Sequence, residues 1–189
     1  MKEKETLILS ETEKALYKEI NLFQKKTFRT FLIDAITSEN KENFDKIVGI
    51  IGVQWGVKRT VSNKQTDTEL DEQETECLKV TEKGFEKFTT HLWNKKLDIL
   101  KGTYNEWYES DFKAYSYESK ICFLLNPSHY KIIFDEHNKR ATDFKSENKN
   151  DWQGHVEKYY KEHFGDNPNF CIEEYFLNDC NLWLKGWFK

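Results

Sequence analysis

Two side chains in this sequence have the types and the separation to break a covalent bond. Lys120 stands in Ser119-Lys120-Ile121-Cys122-Phe123-Leu124-Leu125-Asn126-Pro127, at the head of an apolar run that reads as a helix and is closed by Asn-Pro. Fifteen residues after the lysine, Asp135 opens Asp135-Glu136-His137-Asn138-Lys139-Arg140, an Asp-x-His-x-x-Arg turn. An amine that burial keeps neutral is a nucleophile toward a sugar carbon. A carboxylate steadies the positive charge that develops on a sugar ring as its substituent departs. Consecutive elements that bring both groups to one cleft make an arrangement able to cleave an N-glycosidic bond.

The elements that must position this pair read as helices. Two prolines and eight glycines leave few breaks in the chain. Leu16, Ile20, Phe23 and Phe31, with Phe28, Leu32 and Ile36 alongside, predict an amphipathic helix from about Glu11 to Thr37. Phe44 to Trp55 follows, with Ser38-Glu39-Asn40 as its cap region. Its β-branched run Ile47–Val53 also suits a strand, and helix is favoured because the neighbours are helical. From Val57 to about Leu78 the pattern dissolves, which predicts an exposed acidic loop or insertion.

Helical spacing returns at Thr81, with Phe85, Phe88, Leu92 and Ile99 on one side, and Gly102 suits its end. Tyr104, Trp107, Tyr108, Phe112 and Tyr115 trace a short aromatic helix. After the Lys120 helix and the Asp135 turn, Trp152, Val156, Tyr159 and His163 predict another helix, closed by Gly165. A last one follows Pro168, with Ile172, Phe176, Cys180, Trp183 and Trp187 on one face. The expected architecture is all-α: a single compact domain over residues 1–189, built of seven or eight helices.

Composition bounds the partners. The hydrophobic share is 38%, but aromatic residues make up 15%, and large rings build a core from few positions. The net charge is −4, and six acids between Gln65 and Leu78 (Asp67, Glu69, Asp71, Glu72, Glu74, Glu76) outweigh it; the remainder carries +2. Local cations such as Lys139 and Arg140 therefore still suit phosphate, although the chain lacks the basic excess of a tight nucleic-acid binder. The acidic run reads as a solvated segment or, alternatively, as a docking surface for a protein partner.

Cys77, Cys122, Cys171 and Cys180 lie too far apart for a zinc site, and Cys122 in its apolar run suits an inert thiol. His155 and His163 are eight apart and do not form an HExxH pair. No nucleotide-binding glycine loop is present. No metal or cofactor is expected. The N-terminus has no signal-peptide run and no stretch reaches membrane-spanning length, so the chain reads as cytoplasmic with reduced thiols.

The lysine-headed helix, the Asn-Pro and the apolar lead into Asp-x-His-x-x-Arg together resemble the helix–hairpin–helix DNA glycosylase superfamily. The likeness is to divergent members similar to 8-oxoguanine glycosylases, and it covers Tyr117 to Ala141 with an echo at Asn178 to Lys185. The resemblance implies DNA binding and excision of a flipped, modified base. Lys120 would form a Schiff base with the sugar, and Asp135 would stabilise the oxocarbenium-like centre. His137 and Arg140 would meet the substrate strand, and Trp107, Tyr108 or Tyr115 would supply a stacking wall for the base. This chain departs from the family in two places. The stretch Ala114–Ser119, where the family has a glycine-rich phosphate-binding hairpin, contains no glycine and adds Glu118, and Ile133-Phe134 precedes the aspartate in place of Pro-Val.

Each residue also has a purely structural reading. Lys120 suits a solvated lysine at a helix start. Asp135 with Glu136 suits an N-cap followed by an acidic first turn. His137 suits a surface or capping role, and Arg140 suits pairing with Glu136 or Asp143. The aromatic residues suit the core. On that reading the chain is a non-catalytic binding or inhibitor protein that acts through protein contacts on the same helical scaffold.

Overall fold

The computed structural model describes residues 9–55, 82–105, 112, 114–146, 148–166 and 168–188. These form eight α-helices, and no strand occurs among the described residues. The acidic segment, Trp107 and Tyr108 lie outside them. The helices are α1 (Glu11–Thr37), α2 (Lys41–Gln54), α3 (Glu82–Lys101), α4 (Tyr115–Leu125), α5 (Pro127–Tyr130), α6 (Glu136–Ala141), α7 (Asp151–Phe164) and α8 (Ile172–Trp187). By the contacts it makes, the chain divides into two units, Met1–Lys26 with Phe134–Lys189, and Thr27–Ile133. Asp135 belongs to the first and Lys120 to the second.

In the unit Thr27–Ile133, α2 settles the ambiguity between strand and helix. Its buried residues Phe44, Val48, Ile51 and Gly52 recur with helical period, so β-branching yields to the face that can be buried. Asn40 caps it, its side chain accepting from Asn43 N at 3.0 Å. Gly102 ends α3 at φ 71°, a conformation that needs glycine, and the His129 ring fills the space where a Cβ would sit. α4 is the central helix of this unit, with every residue from Tyr117 to Leu125 buried.

Asn126-Pro127 then performs three structural tasks. The Asn126 N–H bonds back to Cys122 O at the end of α4, and its side chain caps α5 by accepting from His129 N at 3.1 Å. Its Nδ2 donates to Leu100 O at 2.9 Å, satisfying the end of α3. Proline occupies the first turn of α5, where no N–H partner is needed.

In the other unit, Trp152, Val156 and Tyr160 of α7 and Tyr175, Phe176, Cys180, Leu182 and Leu184 of α8 form the core. Gly165 at φ 87° closes α7 as expected. The face expected of α8 is buried at Phe176 and Cys180 but open at its two ends, Ile172 and Trp187.

The helix α1 corrects one expectation. Its extent is as expected, but Leu16, Ile20, Phe23 and Phe31 are exposed, whereas Lys25, Leu32, Ala35 and Ile36 are buried. The sequence carries two apolar stripes on this helix, and the core takes the one that includes a lysine.

Candidate functional site

Lys120 is the sixth residue of α4 rather than its head, because the helix begins at Tyr115. It is only 8% exposed, so it is not a solvated surface lysine. Its Nζ donates to Ser116 Oγ, one turn earlier, at 2.8 Å. The surrounding apolar residues of α4 force this arrangement, since a buried polar nitrogen must be hydrogen-bonded. Tyr115, the first residue of the same helix, is half-buried. The glycine-free stretch does not make a phosphate-binding hairpin here: Ser116 to Ser119 are helical, and Ala114 caps the helix without a side-chain bond.

Glu118, the acid inserted into that stretch, is fully buried. The Tyr104 hydroxyl donates to its Oε1 at 2.5 Å. His91 Nε2 lies 2.9 Å from the Tyr104 oxygen and 3.3 Å from Glu118 Oε1. With Tyr104 donating to the carboxylate, the His91 N–H is the donor to both oxygens. Burial, reinforced by Glu118, pushes the Tyr104 hydroxyl far above its ordinary range. Burial also pushes the neighbouring Cys122 thiol well up, which agrees with its reading as inert. Nothing in the sequence pattern marks this trio except the glutamate itself.

In the other unit Asp135 is the N-cap of α6, with Oδ1 accepting from Asn138 N at 2.8 Å. The residue as a whole is half-buried. Glu136 follows in the first turn and pairs with Lys139, as an acidic helix start favours. His137 is half-buried, and its ring stacks on Trp187 at 4.9 Å with 23° between planes. Trp187 in turn stacks on Trp183, also at 4.9 Å, and Trp183 stacks on Tyr17 of α1 at 5.0 Å. Arg140 Nη2 donates to His137 Nδ1 at 2.9 Å, and its Nε donates to Glu136 O at 3.2 Å. Burial, opposed by Asp135 and aided by Arg140, holds His137 below its ordinary value and so favours the neutral ring that accepts from the arginine.

Two features fix this turn in place, and neither was anticipated from sequence. At Gly186 of α8 a Cβ would lie 1.8 Å from His137 O, so the two helices approach as only glycine allows. An isolated glycine inside a helical pattern is the one hint the sequence offers. The second feature is a buried polar cluster. Lys25 Nζ donates to Asp179 Oδ2 at 2.8 Å and lies 3.1 Å from Cys180 Sγ. Asn138 Nδ2 donates to Asp179 Oδ1, also at 2.8 Å. Burial acts to push Lys25 down, but Asp179 and Cys180 outweigh it and hold the ammonium above its ordinary value.

Chemically, the second unit offers an amine in an apolar helix. The first offers a carboxylate beside a neutral imidazole, a guanidinium and a stack of rings open at Trp187, which is 43% exposed. Among the described residues no cluster of three His, Cys, Asp or Glu side chains is poised for a metal ion, and no helix is long and apolar enough to cross a membrane. His155 and His163 bond instead to the carbonyls of Thr142 and Tyr159. No family model, curated protein or solved structure matches this chain.

Proposed function

We propose that this chain is a DNA-binding protein that acts on the pattern of the base-excision glycosylases. In this reading the neutral Lys120 amine attacks C1′ of a flipped nucleotide. The base leaves with the N-glycosidic bonding pair and takes up the proton that the attacking nitrogen loses, and opening of the sugar ring gives the Schiff base that borohydride reduces. Asp135 stabilises the oxocarbenium-like sugar. Arg140 contacts a phosphate, and the Trp183–Trp187 stack, with Tyr115 in the other unit, offers ring surface to bases. The observation that carries the reading is the Asp135 turn. Asp135 is half-buried and stands in one turn with His137 and Arg140, beside the open tryptophan stack. The free thiols of Cys122, Cys171 and Cys180 support placing the protein in the cytoplasm.

Borohydride trapping on duplexes carrying modified bases tests the chemistry. A covalent adduct with the wild type, lost in Lys120→Gln, is the expected result. Absence of DNA binding at low salt, where phosphate contacts are strongest, overturns the reading.

A second reading, a non-catalytic binding protein on the same helices, is favoured by the burial of Lys120 in mid-helix. A wild type that gives no adduct and binds no DNA even at low salt, while remaining folded, supports it. Trapping of any wild-type adduct excludes it.

A further inference from the structure

The helix α1 buries one side and leaves a second apolar side in solvent. Lys25 marks the buried side. Leu16, Ile20 and Phe23 lie on the opposite one, 54%, 48% and 71% exposed. Residues 16 and 25 are nine positions apart, two and a half turns, so the two sides face in opposite directions. Three large apolar side chains in one row make a continuous stripe rather than singly scattered surface residues.

The spacing says what shape the covering element has. Steps of four and then three residues are the seam of a two-stranded coiled coil, in which side chains of one helix fit between those of another. The charges say which element it is. Glu19 and Lys26 lie along one edge of the row, seven residues and thus about two turns apart. When two copies of this segment lie antiparallel, Glu19 of each meets Lys26 of the other, and the contact repeats by symmetry. A parallel pair sets Glu19 beside Gln24 and gains no such contact. Lys26 already touches Glu173 of its own chain at a half-exposed site, so the contact across the pair adds to that one.

We infer that the protein self-associates through the segment Leu16–Lys26 of α1, two copies packing antiparallel with Ile20 and Phe23 at the centre and Glu19–Lys26 pairs at the edge. None of Leu16, Glu19, Ile20, Phe23 and Lys26 is among the residues assigned to DNA, so the inference is tested independently of that reading.

Light scattering on the full chain, eluted from about 1 to 200 μM, covers the range in which a small interface associates. The mass should rise from 22.7 kDa toward twice that value. Phe23→Glu should stay monomeric with unchanged helical circular dichroism and, at concentrations where the wild type is also monomeric, unchanged Tm. Glu19→Lys alone and Lys26→Glu alone should each weaken association roughly 5–10-fold, and an equimolar mixture of the two should restore it, because each introduced charge then meets its opposite. Three results overturn the inference. They are a wild type that is monomeric throughout, a Phe23→Glu variant that associates normally, and a mixture no tighter than its components. A monomeric wild type whose Tm falls with Phe23→Glu shows that the chain covers this face with its own residues, which overturns it equally.

Discussion

Asn138 and Asp179 share a buried hydrogen bond of 2.8 Å that ties the Asp135 turn to α8. The other carboxylate oxygen of Asp179 accepts from Lys25, so α1, α6 and α8 meet at one charged side chain inside this unit. Such a pair is costly to bury and costlier to break, because removing one partner strands the other charge away from water. Its effect here is positional: it sets α6, and hence the direction of Asp135, His137 and Arg140.

Asp179→Leu should therefore cost about 3–5 kcal/mol, since Lys25 is left as an unpaired buried ammonium. Lys25→Met combined with Asp179→Leu should recover part of the loss, because no buried charge is then stranded, while Asn138 Nδ2 still lacks its Asp179 acceptor. Urea denaturation of the three proteins measures this. If the double variant is as unstable as the single one, the cost lies in lost shape rather than in stranded charge.

Gly186→Ala adds one methyl where the His137 carbonyl oxygen lies 1.8 Å from the built Cβ. Backbone cannot move aside as a flexible side chain does, so α6 and α8 must separate. The expected penalty is about 3 kcal/mol, at the upper end of overpacking, or a fall in Tm of roughly 6–12 °C. Ala substitution at the equally helical Gly154, where nothing lies within 4 Å, is the control and should be neutral or stabilising. Equal Tm values for the two variants contradict the close approach.

Much of this fold was legible because helical periodicity survives without alignment to other proteins. The capping residues Asn40, Asp135, Gly102 and Gly165 stand where their chemistry demands. The pairing of faces was not legible. On α1 both stripes have apolar residues at proper spacing, and the choice between them depends on Asp179, which lies 154 positions further along. Lys25 reads as a mark of solvent until its partner is known. The same holds for Glu118, whose buried carboxylate is satisfied by Tyr104 and His91 from other parts of the chain. Lys120 stands in mid-helix rather than at a helix head because α4 starts at Tyr115, within the stretch that the resemblance aligns with a hairpin. Local signals thus located the elements, while buried polar partners that are distant in sequence decided which sides face inward.

His137 gives the stability a pH dependence whose sign follows from its environment. Its ordinary value is 6.5, and in the folded protein it lies lower, chiefly through burial. The folded state therefore gives up its proton at a lower pH than the unfolded chain. The stabilisation is complete above pH 6.5 and is lost as pH falls through the folded value. Thermal melts between about pH 7.5 and 5 should show the wild type losing more Tm than His137→Gln. Tryptophan fluorescence should fall over the same interval as the imidazole against Trp183 and Trp187 becomes charged. Parallel Tm curves for the two proteins would show that another group titrates.

Asp135 has two roles to separate, since it caps α6 and also carries the proposed carboxylate. Asparagine caps a helix as well as aspartate does, whereas alanine cannot. Asp135→Asn should hold Tm close to the wild type, because its side-chain oxygen still accepts from Asn138 N, the bond that spans 2.8 Å in the wild type. Asp135→Ala should lose about 1 kcal/mol, and with it about 2–4 °C. If the carboxylate also serves base excision, Asp135→Asn should abolish adduct formation while remaining fully folded and able to bind the same duplex. An Asp135→Asn protein that excises at the wild-type rate reduces Asp135 to a helix cap and leaves the proposed chemistry without its carboxylate.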